Sequence, residues 1–325
     1  MNLTLNDRLN GGTATMNRTI CLTLFTWGGL MLTVASYEAE QSTKAPITGI
    51  QEVANNLYML GNSDPSDQSS WTGGNTAIFV AESGVVLVDT KLPGYGSDIL
   101  DYVRGVTDKP VTTIINTHTH FDHTGSNTEF PASVEVITHE NTAAQMARAN
   151  CEPVTNCDAF KGENSKYLPK RTFQVRTSFL SGDDQIDLYH FGQGHTNGDA
   201  FVVFRAARTV HTGDMFQRKA LPFIDVDSSG GSAVEFGRSL TRAVDGLRNI
   251  DTVIAGHVGE PVTWSDFVDF SGFYNHLLST AEDGIQMGLS VDDVVDGYVV
   301  PDRYQGFNAD PQSVRTTVQH IYDEQ

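Results

Sequence analysis

The chain has 325 residues, 39% hydrophobic and 9% aromatic, which is enough apolar material for a packed core and too much for a disordered polymer. It carries 21 basic against 40 acidic side chains, a formal net charge of −19, with no basic run that could follow a phosphate backbone or an anionic bilayer. No nucleic-acid partner is expected, and the acidity reads as a soluble, self-repelling surface.

In chain order, the first segment differs from the rest. The stretch ICLTLFTWGGLMLTVAS, Ile20 to Ser36, holds no charge, Arg18 precedes it, and Val34 and Ser36 are small residues placed to suit a cleavage site. Residues 1–36 are therefore read as a secretory signal peptide, with export to the periplasm or the exterior. The run is shorter than the roughly 20 apolar residues of a bilayer-spanning helix, so a retained anchor is the weaker reading and no stable membrane association is expected after cleavage. A polar stretch precedes Met16, which points to Met16 as the working start and 1–15 as an over-extended reading frame. Residues 37–325 are read as one domain.

Short β-type runs follow at 56–60 (NLYML), 75–82 (NTAIFVAE) and 84–90 (GVVLVDT), separated by Gly, Asn, Ser and Pro. The polar loop 61–75 between the first two is too long for a tight hairpin and carries Trp71. The pattern then alternates: a helix at 96–106, a strand at 111–117 (VTTIINT), a helix starting near His123, a strand at 134–138 and a helix at 140–149. Cys151 and Cys157 lie in NCEPVTNC, where helical periodicity is lost; after export their spacing suits a disulfide closing a small loop, with two unlinked thiols as the other reading. Neither belongs to a CxxC, so no redox or structural zinc motif is indicated. A second sheet-rich block holds TSFL, then 184–191, 199–207 and 208–214. A helix at 232–247, a strand at 251–256 and C-terminal helices at 265–287 and 310–323 complete the chain. Strands followed by helices thus occur twice, which predicts an α/β fold of two similar halves, a four-layer αβ/βα sandwich with sheets inside and helices outside.

The chemistry begins at NTHTHFDHTG, residues 116–125. The strand before it is continuously apolar, so His118, His120 and Asp122 fall on the loop leaving its C-terminal end, where α/β proteins place ligands. Alternate residues of an extended loop point the same way, so two imidazoles converge on one metal while Asp122 and His123 reach towards a second. Imidazole and carboxylate suit zinc, with iron or manganese also acceptable. Four donors are too few for two metals; His195 in GQGHTNGD, Asp214 in HTGDMF and His257 in VIAGHVGE, each just after a predicted strand, supply the rest.

These stretches resemble the metallo-β-lactamase superfamily, whose five sequence blocks have counterparts in order: Asp89 at the end of GVVLVDT, HTHFDH at 118–123, His195, Asp214 and His257. The resemblance covers about residues 53 to 260. It implies one metal on His118, His120 and His195, another on Asp122, His123 and His257, and a bridging carboxylate from Asp214. It also implies that Asp89 orients an imidazole rather than binding metal, although a residue at that turn could equally cap a helix.

Two zinc ions at such a site would lower the pKa of a shared water towards neutrality and supply hydroxide for attack on a carbonyl without a protein base. Asp122 would orient that hydroxide. The expectation is an exported metal-dependent hydrolase of a small-molecule ester, thioester, lactone or lactam. Secreted β-lactamases resembling this fold place Cys or Ser at the bridging position, so Asp214 makes antibiotic hydrolysis the alternative. A second alternative, persulfide oxygenation at a single iron, needs only two histidines and an aspartate. The segment 215–232 resembles that of exported members associated with sulfur oxidation and quinoprotein relay systems. Within it Arg218 and Lys219 are candidates to hold a substrate carboxylate, and Phe223, with Trp71, to form apolar walls.

Overall fold

The structure is a computed structural model that describes residues 44–61, 67 and 69–325. The predicted signal peptide and its early start lie outside these residues, as does part of the 61–75 loop. Contacts divide the chain at Pro46, and the unit Ile47–Gln325 is the one described here.

Its first sheet has seven strands in sequential order: β1 (Ile50–Ala54), β2 (Leu57–Leu60), β3 (Thr76–Ala81), β4 (Gly84–Val88), β5 (Val111–Ile115), β6 (Glu135–His139) and β7 (Arg171–Phe173). The first four pair antiparallel and the rest parallel. The second sheet runs β13 (Val262–Thr263), β12 (Thr252–Ala255), β11 (Thr209–Gly213), β10 (Phe201–Phe204), β9 (Ile186–Tyr189) and β8 (Arg176–Phe179). Only its β11–β12 pair is parallel.

Both faces of each sheet are covered, which explains why the central strands read as unbroken apolar runs. With a period of two, Ala77, Phe79, Val86 and Val88 enter the core between the sheets, where they meet Val202, Phe204 and Ile254 of the second sheet. The alternate residues Ile78, Val85 and Leu87 pack outward beneath Ile99 and Val103 of helix α1 (Gly96–Val106). On the other side Phe201 and Val203 face helices α5 (Ala233–Gly246) and α6 (Trp264–Met287). In α6 the buried Phe267, Phe270, Tyr274, Leu277 and Ala281 recur at three- and four-residue steps, the apolar stripe of an amphipathic helix. A Thr263–Asp266 capping box starts α6 and Gly288, at φ 72°, ends it. Helices α7 (Val291–Gly297) and α8 (Pro311–Asp323) complete this outer layer. The result is the α/β sandwich the sequence predicts, two mixed sheets between helical layers.

Two predicted helices are shorter than expected. The one near His123 is a single turn, α2 (Phe121–Thr124), followed by a separate 3-10 turn at Asn127–Glu129. Ser126 and Asn127 use their side chains elsewhere: Ser126 Oγ donates to the Leu92 carbonyl at 2.6 Å and Asn127 Nδ2 to Asn116 Oδ1 at 2.7 Å. The helix at 140–149 stops as α3 (Glu140–Met146), just before the Cys151–Cys157 disulfide, whose Cα atoms are 5.5 Å apart. That closed loop leans on the metal-type motif, since the Phe121 amide donates to the Val154 carbonyl and Asn156 Nδ2 to the Thr124 carbonyl. Strands β1, β7 and β13 and helices α4 (Val226–Ser229) and α7 have no counterpart in the sequence prediction. Among the described residues no helix is long and apolar enough to cross a membrane.

Candidate metal centre

Seven donors meet where strand ends from both sheets converge. His118, His120, Asp122 and His123 leave β5 and enter α2, His195 lies between β9 and β10, Asp214 follows β11, and His257 follows β12. All seven are buried. Their ligand atoms form three clusters, each within 4.8 Å: His118 with His120 and His195, His118 with His123 and Asp214, and Asp122 with His123 and His257.

Hydrogen bonds on the far side of four of the five rings, His118, His120, His123 and His195, fix which nitrogen faces the centre. Asp89 accepts from the Thr117 amide at Oδ1 (2.8 Å), and from the Thr117 hydroxyl and His123 Nδ1 at Oδ2 (both 2.7 Å). With its own proton given to Asp89, Thr117 Oγ1 accepts from His118 Nδ1 at 3.0 Å. His195 Nδ1 donates to the Phe223 carbonyl at 2.7 Å, and His120 Nε2 to Asp225 Oδ2 at 3.0 Å. The inward nitrogens are therefore lone pairs.

This arrangement tests whether metal fits. His118 Nε2 is buried without a hydrogen-bond partner, and His195 Nε2 faces His120 Nδ1 at 2.9 Å, lone pair to lone pair. His123 Nε2 stands 3.2 Å from Asp214 Oδ1 and 3.4 Å from His257 Nε2, while His257 Nε2 is 3.3 Å from oxygens of both Asp122 and Asp214. The approach of His195 Nε2 to His120 Nδ1, and of His123 Nε2 to Asp214 Oδ1, sets acceptor against acceptor and is unfavourable unless a cation lies among them. The residues fit divalent metal, in imidazole and carboxylate ligands that suit zinc, iron or manganese.

The electrostatics agree. Burial, reinforced by neighbouring imidazoles, pushes His118 well below the ordinary histidine value and His195 down to about 4, keeping both in the neutral form that ligates. Burial opposes a charge on His257 too, but the Asp214 and Asp122 carboxylates prevail and lift it to about 9. Burial likewise disfavours the Asp122 carboxylate, yet His123 and His257 hold it at about 2. One side of the centre refuses protons, and the other calls for positive charge.

Two glycines permit the packing. A Cβ on Gly74 would collide with the His123 imidazole, and one on Gly256 with Asp214 Oδ1. Asp89 bonds the His123 imidazole and does not cap α1, whose N-cap position is Tyr95.

Several residues of this site carry no sequence signal. Asp225 holds His120 through its carboxylate and donates its own amide to the His195 carbonyl at 2.9 Å, tying two donors together from one loop position. Lys91 is fully buried and donates to the Gly61 carbonyl, Thr72 Oγ1 and the Gly74 carbonyl at 3.1, 3.2 and 3.1 Å. Burial pushes its ammonium down to about 7, against the pull of Asp122. Asn75 Nδ2 donates to the Ala255 and Val258 carbonyls, bracing the turn that carries His257. A cleft of about 180 Å³ opens over the centre, with Trp71, Phe121, Arg218 and Phe223 among its walls. Trp71 and Phe121 pack edge to face at 5.9 Å. Lys219, expected beside them, does not line this cleft: Asp266, at the start of α6, holds its ammonium at 2.6 Å.

The family model of the metallo-β-lactamase superfamily matches residues 70–257. The 2,4-dinitroanisole O-demethylase subunit alpha of Nocardioides sp. (strain JS1661) is 29% identical over 146 residues, 43% of this chain and 40% of that protein. The match thus spans less than half the length of that curated relative. The structure resembles the stereoselective inverting sec-alkylsulfatase Pisa1 from Pseudomonas sp. at a TM-score of 0.64 and 15% identity, covering 83% of this chain and 50% of that one. It also resembles a metallo-β-lactamase from Pontibacter korlensis at a TM-score of 0.56 and 20% identity, covering 70% and 98%. At such identities the structural likeness is one of fold alone, but the family match contains all seven donors and Asp89, and the chain belongs to the metallo-β-lactamase superfamily.

Proposed function

We propose that the chain is an exported zinc-dependent hydrolase that cleaves an ester, thioester, lactone or lactam bond in a small molecule. The observation that carries the reading is the set of inward-facing lone pairs, complete for two adjoining sites. Its superfamily consists generally of hydrolytic metalloenzymes. The charge-free run before Ser36 and the disulfide support export.

Held by the seven donors, a pair of divalent cations would supply Lewis acidity that draws the pKa of water towards neutrality and withdraws charge from a carbonyl. The chain's own residues do the rest. Asp122 lines the cleft as an ionised carboxylate, so it can accept a hydrogen bond from the attacking water and aim it. Asp89, Asp225, Thr117 and the Phe223 carbonyl lock four of the five imidazoles in the required tautomer. Trp71, Phe121 and Phe223 limit water around the scissile group, and Arg218 stands at the rim where a substrate anion would be held.

The test is metal analysis of the purified chain with a hydrolysis panel: an aryl ester, a thioester, a lactone, a phosphotriester and several β-lactams. A sulfate ester and 2,4-dinitroanisole are added for the chemistry named by the relatives. Two zinc per chain and turnover of an acyl substrate are expected. A carbapenem cleaved much faster than every ester would make it a β-lactamase, and a single iron with persulfide oxidation would overturn hydrolysis altogether.

A further inference from the structure

The Phe223 ring is 56% exposed and stands beside two of the metal donors, its centroid 6.0 Å from that of His195 and 6.4 Å from that of His120. An exposed ring kept in one place needs a fastening, because its own burial does not offset the entropy of holding it. Gln217 supplies that fastening. Its side chain is buried, and its amide pairs with the Phe223 peptide in both directions: Nε2 donates to the Phe223 carbonyl at 3.0 Å and Oε1 accepts from the Phe223 amide at 3.3 Å.

The same carbonyl accepts from His195 Nδ1 at 2.7 Å, so two donors 3.2 Å apart share its two lone pairs. The backbone carbonyl of Gln217 accepts from the His257 amide at 2.8 Å. One residue is thereby joined to His195 in one donor cluster and to His257 in another. The loop between Gln217 and Phe223 is pinned at its middle as well, where the Leu221 amide donates to the Asn308 carbonyl at 3.0 Å and the Asn308 amide to the Lys219 carbonyl at 2.9 Å. With its middle pinned and its ends joined through the Gln217 side chain, the loop has little slack. The Phe223 peptide cannot shift without disturbing the bond that orients His195. Trp71 and Phe121 line the same cleft, so an apolar group beside the reacting atoms meets aromatic surface.

We propose that Gln217 is a positioning residue and that Phe223 is the specificity-determining residue it positions. The amide staple holds the Phe223 ring against a compact apolar group of the substrate next to the bond cleaved, and it holds His195 to the same peptide, so substrate preference and metal affinity are set together. The proposal rests on the metal-dependent hydrolase reading, and binding and turnover are measured apart so that their failures can be told from one another.

At saturating cobalt(II), acetate and phenylacetate, each able to reach the metal through its carboxylate, are titrated by the change in visible absorption. Metal affinity is read by competition with a chromophoric chelator, and turnover with p-nitrophenyl acetate and p-nitrophenyl phenylacetate. The parent should prefer phenylacetate. Phe223→Ala should weaken phenylacetate about tenfold and acetate little, with metal affinity unchanged because the backbone carbonyl stays. Gln217→Leu should lose the preference to a similar extent and also bind metal about tenfold less tightly. In the double variant the preference should fall no further than in either single one, since both changes remove the same contact. Gln217→Glu keeps an oxygen for the Phe223 amide but no donor for its carbonyl; it should move both readouts in the same direction, and it decides the matter if Gln217→Leu does not fold. A Gln217 that only stabilised the fold would lower the thermal midpoint and leave the preference intact. Preference unchanged in Phe223→Ala or in the Gln217 variants, or losses that multiply in the double variant, overturns the proposal and leaves the hydrolase. Failure to bind cobalt removes the hydrolase reading and the proposal with it. The expected binding pattern without turnover of either ester supports the staple and removes the hydrolase reading alone.

Discussion

Asp122 is the donor with most to lose from a one-atom change. Asn keeps its shape but removes the charge that accepts from water, so Asp122→Asn should lower kcat by about 100-fold or more. The thermal midpoint of the metal-loaded variant should move by only a few degrees; full activity would remove Asp122 from the chemistry. Asp225 acts one step further out, through His120 and the His195 backbone. Asp225→Asn should cost about 10–100-fold in metal affinity, read by competition with a chromophoric chelator, because the carboxylate fixes the ring that must present its lone pair. The two residues also mark what could be read in advance. Asp122 belongs to a dense motif after an apolar strand and was legible there, as were the other six donors. Asp225 and Lys91 act through hydrogen bonds from loops without periodicity, and nothing in their neighbourhoods distinguishes them; Thr117 lies within the motif, but its residue type signals no such role. Lys219 shows the reverse error: beside Arg218 it looked equivalent, but its partner Asp266 is remote in sequence and draws it out of the cleft.

Among elements, the buried central strands and the helices packed on them were legible because unbroken apolar runs and amphipathic stripes are local properties. The elements that were missed, β1, β7, β13, α4 and α7, are two to seven residues long, too short to show a periodicity of their own. The edge pair β8–β9 shows how such a strand is retained. Asp187 of β9 sits opposite Ser178 of β8 and accepts from its hydroxyl at 2.7 Å, from Gln185 Nε2 at 2.9 Å and from Arg205 Nε at 2.5 Å. Burial would raise its pKa, but these bonds hold it at about 2. The folded value lies below the unfolded carboxylate value of about 3.9, so the unfolded chain binds more protons between them. The stabilisation is complete above about pH 4 and disappears as pH falls towards 2. Asp187→Asn should therefore lower the urea midpoint at pH 7, and the difference from the parent should close between pH 4 and pH 2. A gap independent of pH would show that the carboxylate charge is not what fastens the edge.

For the molecule as a whole, metal should be a stabilising ligand, because its donors assemble only in the folded chain. Free metal at about 100 times its dissociation constant contributes about 2.7 kcal/mol, which for a chain of this size amounts to a rise of about 5 °C or more over the chelator-treated protein. Calorimetry with and without chelator checks it, and coincident transitions would mean that the centre binds no ion in the folded state. The donors are also divided: four come from the loop beyond β5 in the first sheet, and His195, Asp214 and His257 from loops of the second. Neither half-molecule holds a complete pair of coordination spheres. A full pair of metal ions could accordingly be held only once the two sheets have met face to face. The ion taken up would then be set by what the surroundings offer in whichever compartment the chain folds.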